Sequence, residues 1–427
     1  MKRIVILWAM ACLACSLQAQ TAKEEIARNP YLSGSNYLDY DRQLSTKKLT
    51  PAPKGYEPFY LSHYGRHGSR WLINGHDYTD VIDALVKAQK QGKLTEKGRE
   101  VLSKMERFYP TTVSRLGDLT TVGERQHHGI GRRMTKNFPE IFMKKNVQVD
   151  ARSTVVPRCI LSMMAECEEL QGANPTVRIH NDVSESLQYY LNQKWSDRLR
   201  QASKKGHKTR DEYNRKLTHP ERIVSVLFND SKWAKDSLNA GHFMRRLFDV
   251  ATNMQSHDTD IELLSLFTTD ELYDQWRTRN VGWFLDYGPS PLTDNIMPFS
   301  QYNLLKNIIE TADTVKQVQA TLRFGHEVCV MPLASLLGLD GYDKPVSDLD
   351  HLDDTWRNYR IFPMGCNIQL VFYRPKKGKD GDILVKALLN EREATLPIST
   401  SQWPYYSWKE LRQYYLQKLN TFDASGK

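Results

Sequence analysis

Arg66 and Arg70 lie four residues apart with His67 between them, and this spacing could serve phosphorus chemistry. A guanidinium holds a phosphate dianion through paired N–H bonds, and an imidazole held beside it can attack the phosphorus atom. Residues 58–64 are aromatic and apolar, which is typical of a buried strand. Gly68 then breaks this pattern and predicts a turn whose backbone can approach a ligand closely. The same residues would also fit a basic surface turn, so the remaining chain must decide between the two interpretations.

Two more strand ends offer polar groups of matching chemistry. Apolar and polar residues alternate over residues 147–152, which predicts a strand that ends at Arg152. Residues 318–324 indicate another strand, which runs directly into His326 and Glu327 and then into an apolar helix. Open α/β sheets bind ligands at the carboxyl ends of their strands. If these strands are neighbours, their end residues converge on one cationic pocket that contains a nucleophile and an acid.

The order of these elements predicts an α/β fold. Its three-layer core would have a mostly parallel sheet flanked by helices, with an α-helical cap inserted into it. Strand-like alternation is lost between residues 191 and 307, where long amphipathic stretches dominate. We therefore assign residues 21–190 and 308–427 to a discontinuous core and residues 191–307 to the cap. A separate helical domain is the alternative, although no linker rich in Gly, Ser or Pro marks a boundary.

Local patterns predict several individual elements. Thr121 and Glu124 have the spacing of a capping box, so a helix is expected to begin there. Residues 21–55 are polar and aperiodic, and we interpret them as an extended arm that lies on the domain. Two strands, over residues 367–373 and 383–389, are expected to form a hairpin.

Composition is typical of a soluble globular protein. The chain has 427 residues, of which 40% are hydrophobic and 26% are charged, so it can bury a large core. Its formal net charge is +9. No lysine-rich run or basic helix stands out, so nucleic acid is a poor candidate partner, and the positive charge suits a small anionic substrate. The oligomeric state stays open.

Residues 1–20 have the pattern of a secretory signal, with a positively charged start, an apolar stretch and a short polar end. This pattern predicts a secreted or periplasmic protein. Cys15 leaves a lipid-anchored form at the outer surface open, although Cys12 stands where an aliphatic residue is usual. No later segment approaches 18 unbroken apolar residues, so no membrane span is predicted.

The four later cysteines show no metal-ligand spacing such as C-x-x-C. Two of them are eight residues apart on a predicted helix, about 12 Å at 1.5 Å per residue, which is too far for a disulfide between them. Buried free thiols are the simplest interpretation, and a single disulfide stays open. Because no other cluster has ligand spacing either, we expect neither a metal nor another cofactor. These cysteines are Cys159, Cys167, Cys329 and Cys366.

With these motifs in place, the chain resembles the histidine phosphatase superfamily. The resemblance is to the histidine acid phosphatase branch, which contains phytases and multiple inositol polyphosphate phosphatases. It begins at the turn that contains His67 and continues through stretches similar to the second and third motifs of the family. Two later segments are similar to the inositol polyphosphate group. The matching stretches are residues 66–70, 117–126, 152–158, 267–289 and 367–393.

The resemblance implies a role for each candidate residue. His67 would attack phosphorus and become a phosphohistidine, which water then hydrolyses. Glu327 would protonate the leaving alkoxide. Positively charged or donor groups would clamp the three phosphoryl oxygens and stabilise their developing charge, so no metal is needed. These groups are Arg66, Arg70, Arg152 and His326.

The sequence departs from the family pattern at two points. A proline commonly follows the second arginine by two residues, and Leu72 stands there instead. Relatives show His-Asp or His-Ala-Glu where this chain has His326, Glu327 and Val328. Glu327 matches the aspartate position but is one methylene longer. Its alternative role is to cap the helix that follows.

The function implied by the resemblance is a secreted, metal-independent phosphomonoesterase that acts on inositol polyphosphates, including phytate. A broad-specificity acid phosphatase that acts on sugar phosphates is the first alternative. A phosphoryl-transfer enzyme of the phosphoglycerate mutase branch fits the leader and the long helical insertion less well. A binding protein that retains the anion pocket but lacks catalysis is the non-enzymatic alternative.

Overall fold

A mixed sheet of eight strands runs through the part of the chain that this computed structural model describes, residues 20–45 and 47–424. In chain order the strands are β1 (Tyr56–Arg66), β2 (Gln148–Ser153), β3 (Arg178–Asp182), β4 (Val318–Gly325), β5 (Asn367–Pro375), β6 (Leu384–Leu389), β7 (Arg392–Ala394) and β8 (Tyr406–Ser407).

The sheet has a parallel half and an antiparallel half. Across it the order is β3-β2-β4-β1-β5-β6-β7, and β8 pairs with β6. Strand β2 pairs in parallel with β3 and β4, and β4 pairs in parallel with β1. The other pairs, from β1–β5 onward, are antiparallel. The carboxyl ends of β1, β2 and β4 therefore meet at one edge of the sheet, as expected from the sequence.

Helices cover both faces of this sheet. One face packs on apolar side chains of α13, α14 and α16, and the other packs on those of α4 and α6. The predicted three-layer α/β fold is thus confirmed. The helices are α1 (Ala22–Arg28), α2 (His76–Lys90), α3 (Glu96–Phe108), α4 (Thr121–Asn137), α5 (Pro139–Phe142), α6 (Pro157–Ala173), α7 (Gln188–Leu191), α8 (Asp197–Lys216), α9 (Glu221–Leu227), α10 (Ser231–Ser237), α11 (Ala240–Asn253), α12 (Thr269–Tyr287), α13 (Tyr302–Thr314), α14 (Glu327–Leu337), α15 (Asn358–Ile361) and α16 (Trp408–Ala424).

The segment between residues 191 and 307 is mainly helical and contains α8 to α12. Its apolar side chains, among them Leu247 and Trp276, form a hydrophobic cluster together with Leu85 of α2 and Leu102 of α3. The inserted helices therefore share a core with two helices that precede them in the chain. The boundaries of the cap stay a prediction.

The N-terminal segment is more ordered than its sequence pattern predicts. Instead of an extended arm, it forms α1 and a 3₁₀ helix over Pro30–Tyr37. A capping box of Thr21 and Glu24 begins α1, and the buried Ile26 packs into the cluster of inserted helices. A helix with so few apolar positions is too short for its periodicity to be recognised.

Other local predictions hold with small shifts. Helix α4 is present, but its N-cap is Thr120 rather than Thr121, because the Thr120 hydroxyl accepts a hydrogen bond from the N–H of Gly123. The predicted hairpin is the antiparallel pair β5–β6. The four cysteines described by the structure are buried and free. Among the described residues, no helix is both long and apolar enough to cross a membrane. The predicted leader, apart from Gln20, lies outside the described residues.

Helix α4 packs directly against the turn that follows β1. The sequence predicts close packing at Gly123 and Gly129, and the structure shows it for Gly123. A Cβ atom on Gly123 would lie 2.3 Å from the carbonyl oxygen of Ser69, and one on Gly68 would lie 2.3 Å from the carbonyl oxygen of Gly123. A Cβ atom on Gly129 would meet only the flexible side chain of Arg133. Two glycines thus allow helix and turn to touch backbone to backbone.

Gly123→Ala should lower the free energy of unfolding by about 1–3 kcal/mol, because its methyl group overlaps the backbone of Ser69. Gly129→Ala is the matched control in the same helix and should raise it by about 0.5–1 kcal/mol, since alanine favours the helix. Urea unfolding followed by circular dichroism measures both changes. Equal stability of the two variants would contradict the backbone contact.

Candidate active site

The carboxyl ends of β1 and β4 bring two histidines and a carboxylate together. Oε2 of Glu327 lies 3.7 Å from Nε2 of His67, and the rings of His67 and His326 meet edge-on with centroids 5.7 Å apart. His67 is 1% exposed and His326 is 9% exposed. Residues from two strand ends, predicted separately from the sequence, thus share one nearly dry pocket.

A hydrogen bond determines the tautomer of His67. Its Nδ1 lies 2.8 Å from the carbonyl oxygen of Gly68, which can only accept a hydrogen bond, so Nδ1 carries the proton. Nε2 therefore has a free lone pair, and it is buried without a hydrogen-bond partner among the residues that the structure describes. A nitrogen in this state can act as a nucleophile.

Arg66 is fully buried and is held by oxygen atoms from three segments. Its Nε faces Oε2 of Glu327 at 3.1 Å. Its Nη1 donates hydrogen bonds to the carbonyl oxygens of Asn36, at 2.6 Å, and Phe362, at 3.2 Å. Nη2 has no hydrogen-bond partner among the described residues. One edge of the guanidinium is therefore free to bind an anion.

Arg70 and Arg158 bring two more positive charges to the pocket. Arg158 lies in the first turn of α6, and its Nη1 donates to the carbonyl oxygen of Gly117 at 3.3 Å. Nη1 of Arg70 donates to the carbonyl oxygen of Trp71 at 2.9 Å. The Nε atoms of both arginines are buried without a partner among the described residues. Both guanidiniums retain donors for an anion.

The structure does not bring Arg152, a predicted phosphate ligand, into this cluster. Its guanidinium donates to Asp150 at 2.8 Å and to the hydroxyl of Tyr190 at 3.1 Å. Alternate residues of a strand share a face, so Arg152 follows Asp150 away from the pocket. The chain reaches the pocket at Thr154, whose Oγ1 lies 3.4 Å from Nε2 of His326.

Arg158 is the residue that sequence reasoning missed. It lies within the stretch that resembles the third family motif, but beyond the strand end on which the prediction relied. Pro157, at the start of α6, was the available signal, because it marks a helix whose first turn begins at the edge of the pocket.

Burial and positive charge determine the protonation states in the pocket. Burial, reinforced by Arg66, Arg158 and Arg70, lowers the pKa of His67 well below 6.5. Burial lowers the pKa of His326 to about 4. Burial alone would raise the pKa of Glu327, but Arg66 and Arg70 outweigh it and hold this pKa at about 2. At pH 5 both imidazoles are therefore neutral and the carboxylate is charged.

The turn that carries His67 is hydrogen-bonded on its far side by residues of α4, α6, α11 and the N-cap of α4. These bonds hold the backbone of residues 68–70 and so orient His67 and Arg70 before any ligand binds. The pairs are Gly68 N–H with Ser162 Oγ (3.1 Å), Ser69 N–H with Gln126 Oε1 (2.9 Å), Ser69 carbonyl with Thr120 N–H (2.9 Å) and Arg70 carbonyl with Asn253 Nδ2 (3.1 Å).

His67, His326 and Glu327 each offer a ligand atom within 4.8 Å of the others, a spacing that could hold a metal ion. Three guanidiniums surround this group, however, and their charge repels a divalent cation. The donor set and its surroundings therefore fit an anion better than a metal.

A second cationic region lies among α8, α11 and α12. It is a cleft of about 460 Å³. Three of its arginines are neutralised in part, Arg210 by Asp286 at 2.9 Å, Arg246 by Asp77 at 2.6 Å and Arg279 by Asp249. The fourth, Arg245, has no carboxylate partner among the described residues. The arginines that line the cleft are Arg210, Arg245, Arg246 and Arg279.

This cleft lies near the pocket of His67, because the ring centroid of Tyr37 is 5.6 Å from the guanidinium of Arg70 and 5.7 Å from that of Arg279, which lines the cleft. Tyr287, which lines it, has a pKa raised mainly by burial and further by negative charges that include Glu327. The two cationic regions are therefore within electrostatic reach of each other.

Comparison with known families agrees with a pocket that binds a phosphate beside a histidine. The model of the histidine phosphatase superfamily, branch 2, matches residues 65–390. The chain belongs to this superfamily. It is thus an enzyme of the histidine acid phosphatase type. No curated protein gives a significant match to the chain.

Several phosphatases of known structure share the fold. The multiple inositol polyphosphate phosphatase of Bifidobacterium longum, solved with inositol hexasulfate, is 18% identical with a TM-score of 0.68, and the match covers 90% of this chain and 97% of that one. The phytase of D. castellii is 15% identical with a TM-score of 0.70, covering 96% and 89%. The phytase of Hafnia alvei, solved with myo-inositol hexakis sulphate, is 13% identical with a TM-score of 0.55, covering 86% and 98%.

Arg158→Ala and Arg152→Ala form a matched pair that tests which arginine acts in this phosphatase. Loss of a donor to the phosphoryl oxygens should lower kcat/KM of the Arg158 variant for p-nitrophenyl phosphate by about 10²–10³-fold. The Arg152 variant should stay within about threefold of the parent, since its guanidinium bonds elsewhere. A larger loss in the Arg152 variant would contradict the geometry.

Proposed function

We propose that this phosphatase is a secreted, metal-independent phosphomonoesterase that hydrolyses inositol polyphosphates, including phytate, through a phosphohistidine on His67. The observation that carries the proposal is the unprotonated Nε2 of His67, buried beside Glu327 and three arginines. Each of these arginines has at least one N–H group without a partner among the described residues. A phosphate dianion is the ligand that such a cluster fits. The arginines are Arg66, Arg70 and Arg158.

In the first chemical step, Nε2 of His67 attacks phosphorus in line with the ester oxygen. The N–P bond forms as the P–O ester bond breaks, and the charge on the three phosphoryl oxygens is stabilised by the guanidiniums. His326, neutral above about pH 4, can donate one N–H to the same oxygens. The phosphorylated imidazole keeps its proton on Nδ1, which donates a hydrogen bond to the carbonyl oxygen of Gly68.

Glu327 needs a proton before it can act as the general acid, because Arg66 and Arg70 hold its pKa at about 2. A bound dianion offsets these positive charges, so burial then dominates and raises the pKa of the carboxyl group. The substrate can bring the proton with it, since a phosphate monoester has its second pKa near 6. Glu327 then protonates the leaving alkoxide.

The second step returns the enzyme to its starting state. The Glu327 carboxylate accepts a proton from a water molecule, whose oxygen attacks phosphorus as the N–P bond breaks. Inorganic phosphate leaves together with the proton that Glu327 accepted, so Glu327 is ionised again and Nε2 of His67 regains its lone pair.

The second cationic cleft supports a substrate with several phosphates. A simple monoester would occupy the catalytic pocket alone, whereas an inositol polyphosphate can also place a phosphate near Arg245 and Arg279. Two of the structural neighbours were solved with hexasulfated inositols, which carry negative charge around the whole ring. Secretion or a periplasmic location is proposed from the leader pattern of residues 1–20 alone.

His67→Ala should lower turnover of p-nitrophenyl phosphate by more than about 10³-fold, because the nucleophile is lost. Rapid quenching in alkali, which spares the acid-labile N–P bond, should trap a labelled phosphoenzyme in the parent and none in the variant. Circular dichroism serves as the control for folding. Turnover within about tenfold of the parent, only about 1.4 kcal/mol in the barrier, would rule out this nucleophile.

Glu327→Gln should separate substrates by their leaving groups. An alkoxide needs a proton to leave, so hydrolysis of glycerol phosphate or phytate should fall by about 10²–10⁴-fold. A nitrophenolate leaves without one, so p-nitrophenyl phosphate should lose much less. Single-turnover formation of the phosphoenzyme is the quantity to compare. Equal losses would assign the proton to another group and leave Glu327 as a cap of α14.

A further inference from the structure

The N-terminal 3₁₀ helix, Pro30–Tyr37, lies beside the catalytic turn although it precedes the region that the family model matches. The carbonyl oxygen of Asn36 accepts the 2.6 Å hydrogen bond from Arg66. Ser35, just before it, has φ 56° and ψ −117°, a strained conformation for a residue with a Cβ atom. Such a conformation persists only where the surroundings impose it. The surroundings of the pocket therefore impose the conformation of this segment, and the carbonyl oxygen of Asn36 in turn fixes the position of Arg66.

Tyr37, at the end of this segment, has two guanidinium groups over its ring. That of Arg70 is 5.6 Å from the centroid of its ring, and that of Arg279 is 5.7 Å away. A cation over an aromatic ring is attracted by the ring's electron density. The hydroxyl of Tyr37 has no hydrogen-bond partner among the described residues. The contacts of this side chain with the two arginines are therefore made by its ring.

The two arginines serve different regions. Arg70 belongs to the catalytic pocket, where it helps to lower the pKa of His67. Arg279 lines the second cleft and pairs there with Asp249. The attraction of both cations to one ring offsets part of the repulsion between their positive charges. Among the described residues, Arg70 and Arg279 are the only pair of cations from the two regions that lie over the same ring. Tyr37 therefore fixes the spacing between them.

We propose that Tyr37 determines the preference of this enzyme for esters with more than one phosphate. Its ring holds Arg70 toward the phosphate under attack and Arg279 toward a second phosphate of the same molecule. Because both cations are oriented before binding, the second contact needs little reorganisation. A monophosphate ester uses only the catalytic half. The inference rests on the proposed function, since it requires pocket and cleft to receive phosphates of one substrate.

The test measures inhibition of p-nitrophenyl phosphate hydrolysis by two probes, inositol hexasulfate and inorganic phosphate. Tyr37→Leu should raise the inhibition constant of the hexasulfate by about tenfold and that of phosphate by less than about threefold. Tyr37→Phe keeps the ring and should stay within about threefold of the parent for both probes. Tyr31→Leu is the matched control, because Tyr31 lies in the same segment but has Arg42 over its ring at 3.5 Å and lines a different cleft. It should change neither constant.

Three results would overturn the assignment: equal increases for both probes in Tyr37→Leu, no increase for the hexasulfate, or a Tyr37→Phe variant as defective as Tyr37→Leu. Should the leucine variant fail to fold, Tyr37→Met, whose flexible side chain fills space more readily, gives the same comparison. A parent enzyme that hydrolyses p-nitrophenyl phosphate but is not inhibited by the hexasulfate would refute the proposed substrate class itself. Inhibition of the parent with no change in the variants would refute the role of Tyr37 alone.

Discussion

The guanidinium of Arg66 is shielded from water, and the catalytic pocket depends on how its charge is satisfied. A buried charge costs several kcal/mol unless charged and polar partners replace the lost hydration. Glu327 and the carbonyl groups of Asn36 and Phe362 supply these partners from three distant parts of the chain. The remaining nitrogen, Nη2, has no hydrogen-bond acceptor among the described residues, and an anion is the acceptor that suits its charge best. The need to stabilise one arginine thus brings three segments together and leaves a site complementary to phosphate.

The same positive charge couples substrate binding to proton transfer. Burial, reinforced by this charge and that of Arg70, keeps His67 neutral, and the two charges keep Glu327 ionised against the effect of burial. The proposed nucleophile needs the first state, whereas the proposed general acid needs the opposite of the second. In the proposed mechanism, a bound dianion offsets the charges of the arginines, so the pKa of the Glu327 carboxyl group rises only when the substrate binds. The substrate's own charge then prepares the acid that expels its leaving group. This coupling explains how one crowded pocket can hold a base and an acid that need opposite electrostatic environments.

The sequence predicted the sheet, its strand ends and the meeting of His67, His326 and Glu327, because strand alternation and strand–turn–helix order are local patterns. It did not predict which arginine reaches the pocket. Arg152 is directed away from the pocket because it shares a strand face with Asp150. Arg158 reaches the pocket because of the direction of α6. Neither feature can be recognised from the local periodicity of the sequence. The pattern of residues 21–55 predicts an extended arm, and it misses α1 and the 3₁₀ helix for a related reason. The main contacts of this segment are with residues far along the chain.

The position of β1 in the sheet has a consequence for biosynthesis. This strand carries the catalytic turn and is made early, yet its two neighbours, β4 and β5, come from the last third of the chain. Until both leave the ribosome, β1 presents unpaired backbone groups on each edge, and Arg66 lacks Glu327 and the carbonyl of Phe362. A nascent chain in this state folds slowly and exposes a strand that can pair with the wrong partner, which chaperones normally shield. The residues of the proposed active site therefore come together only when synthesis is nearly complete.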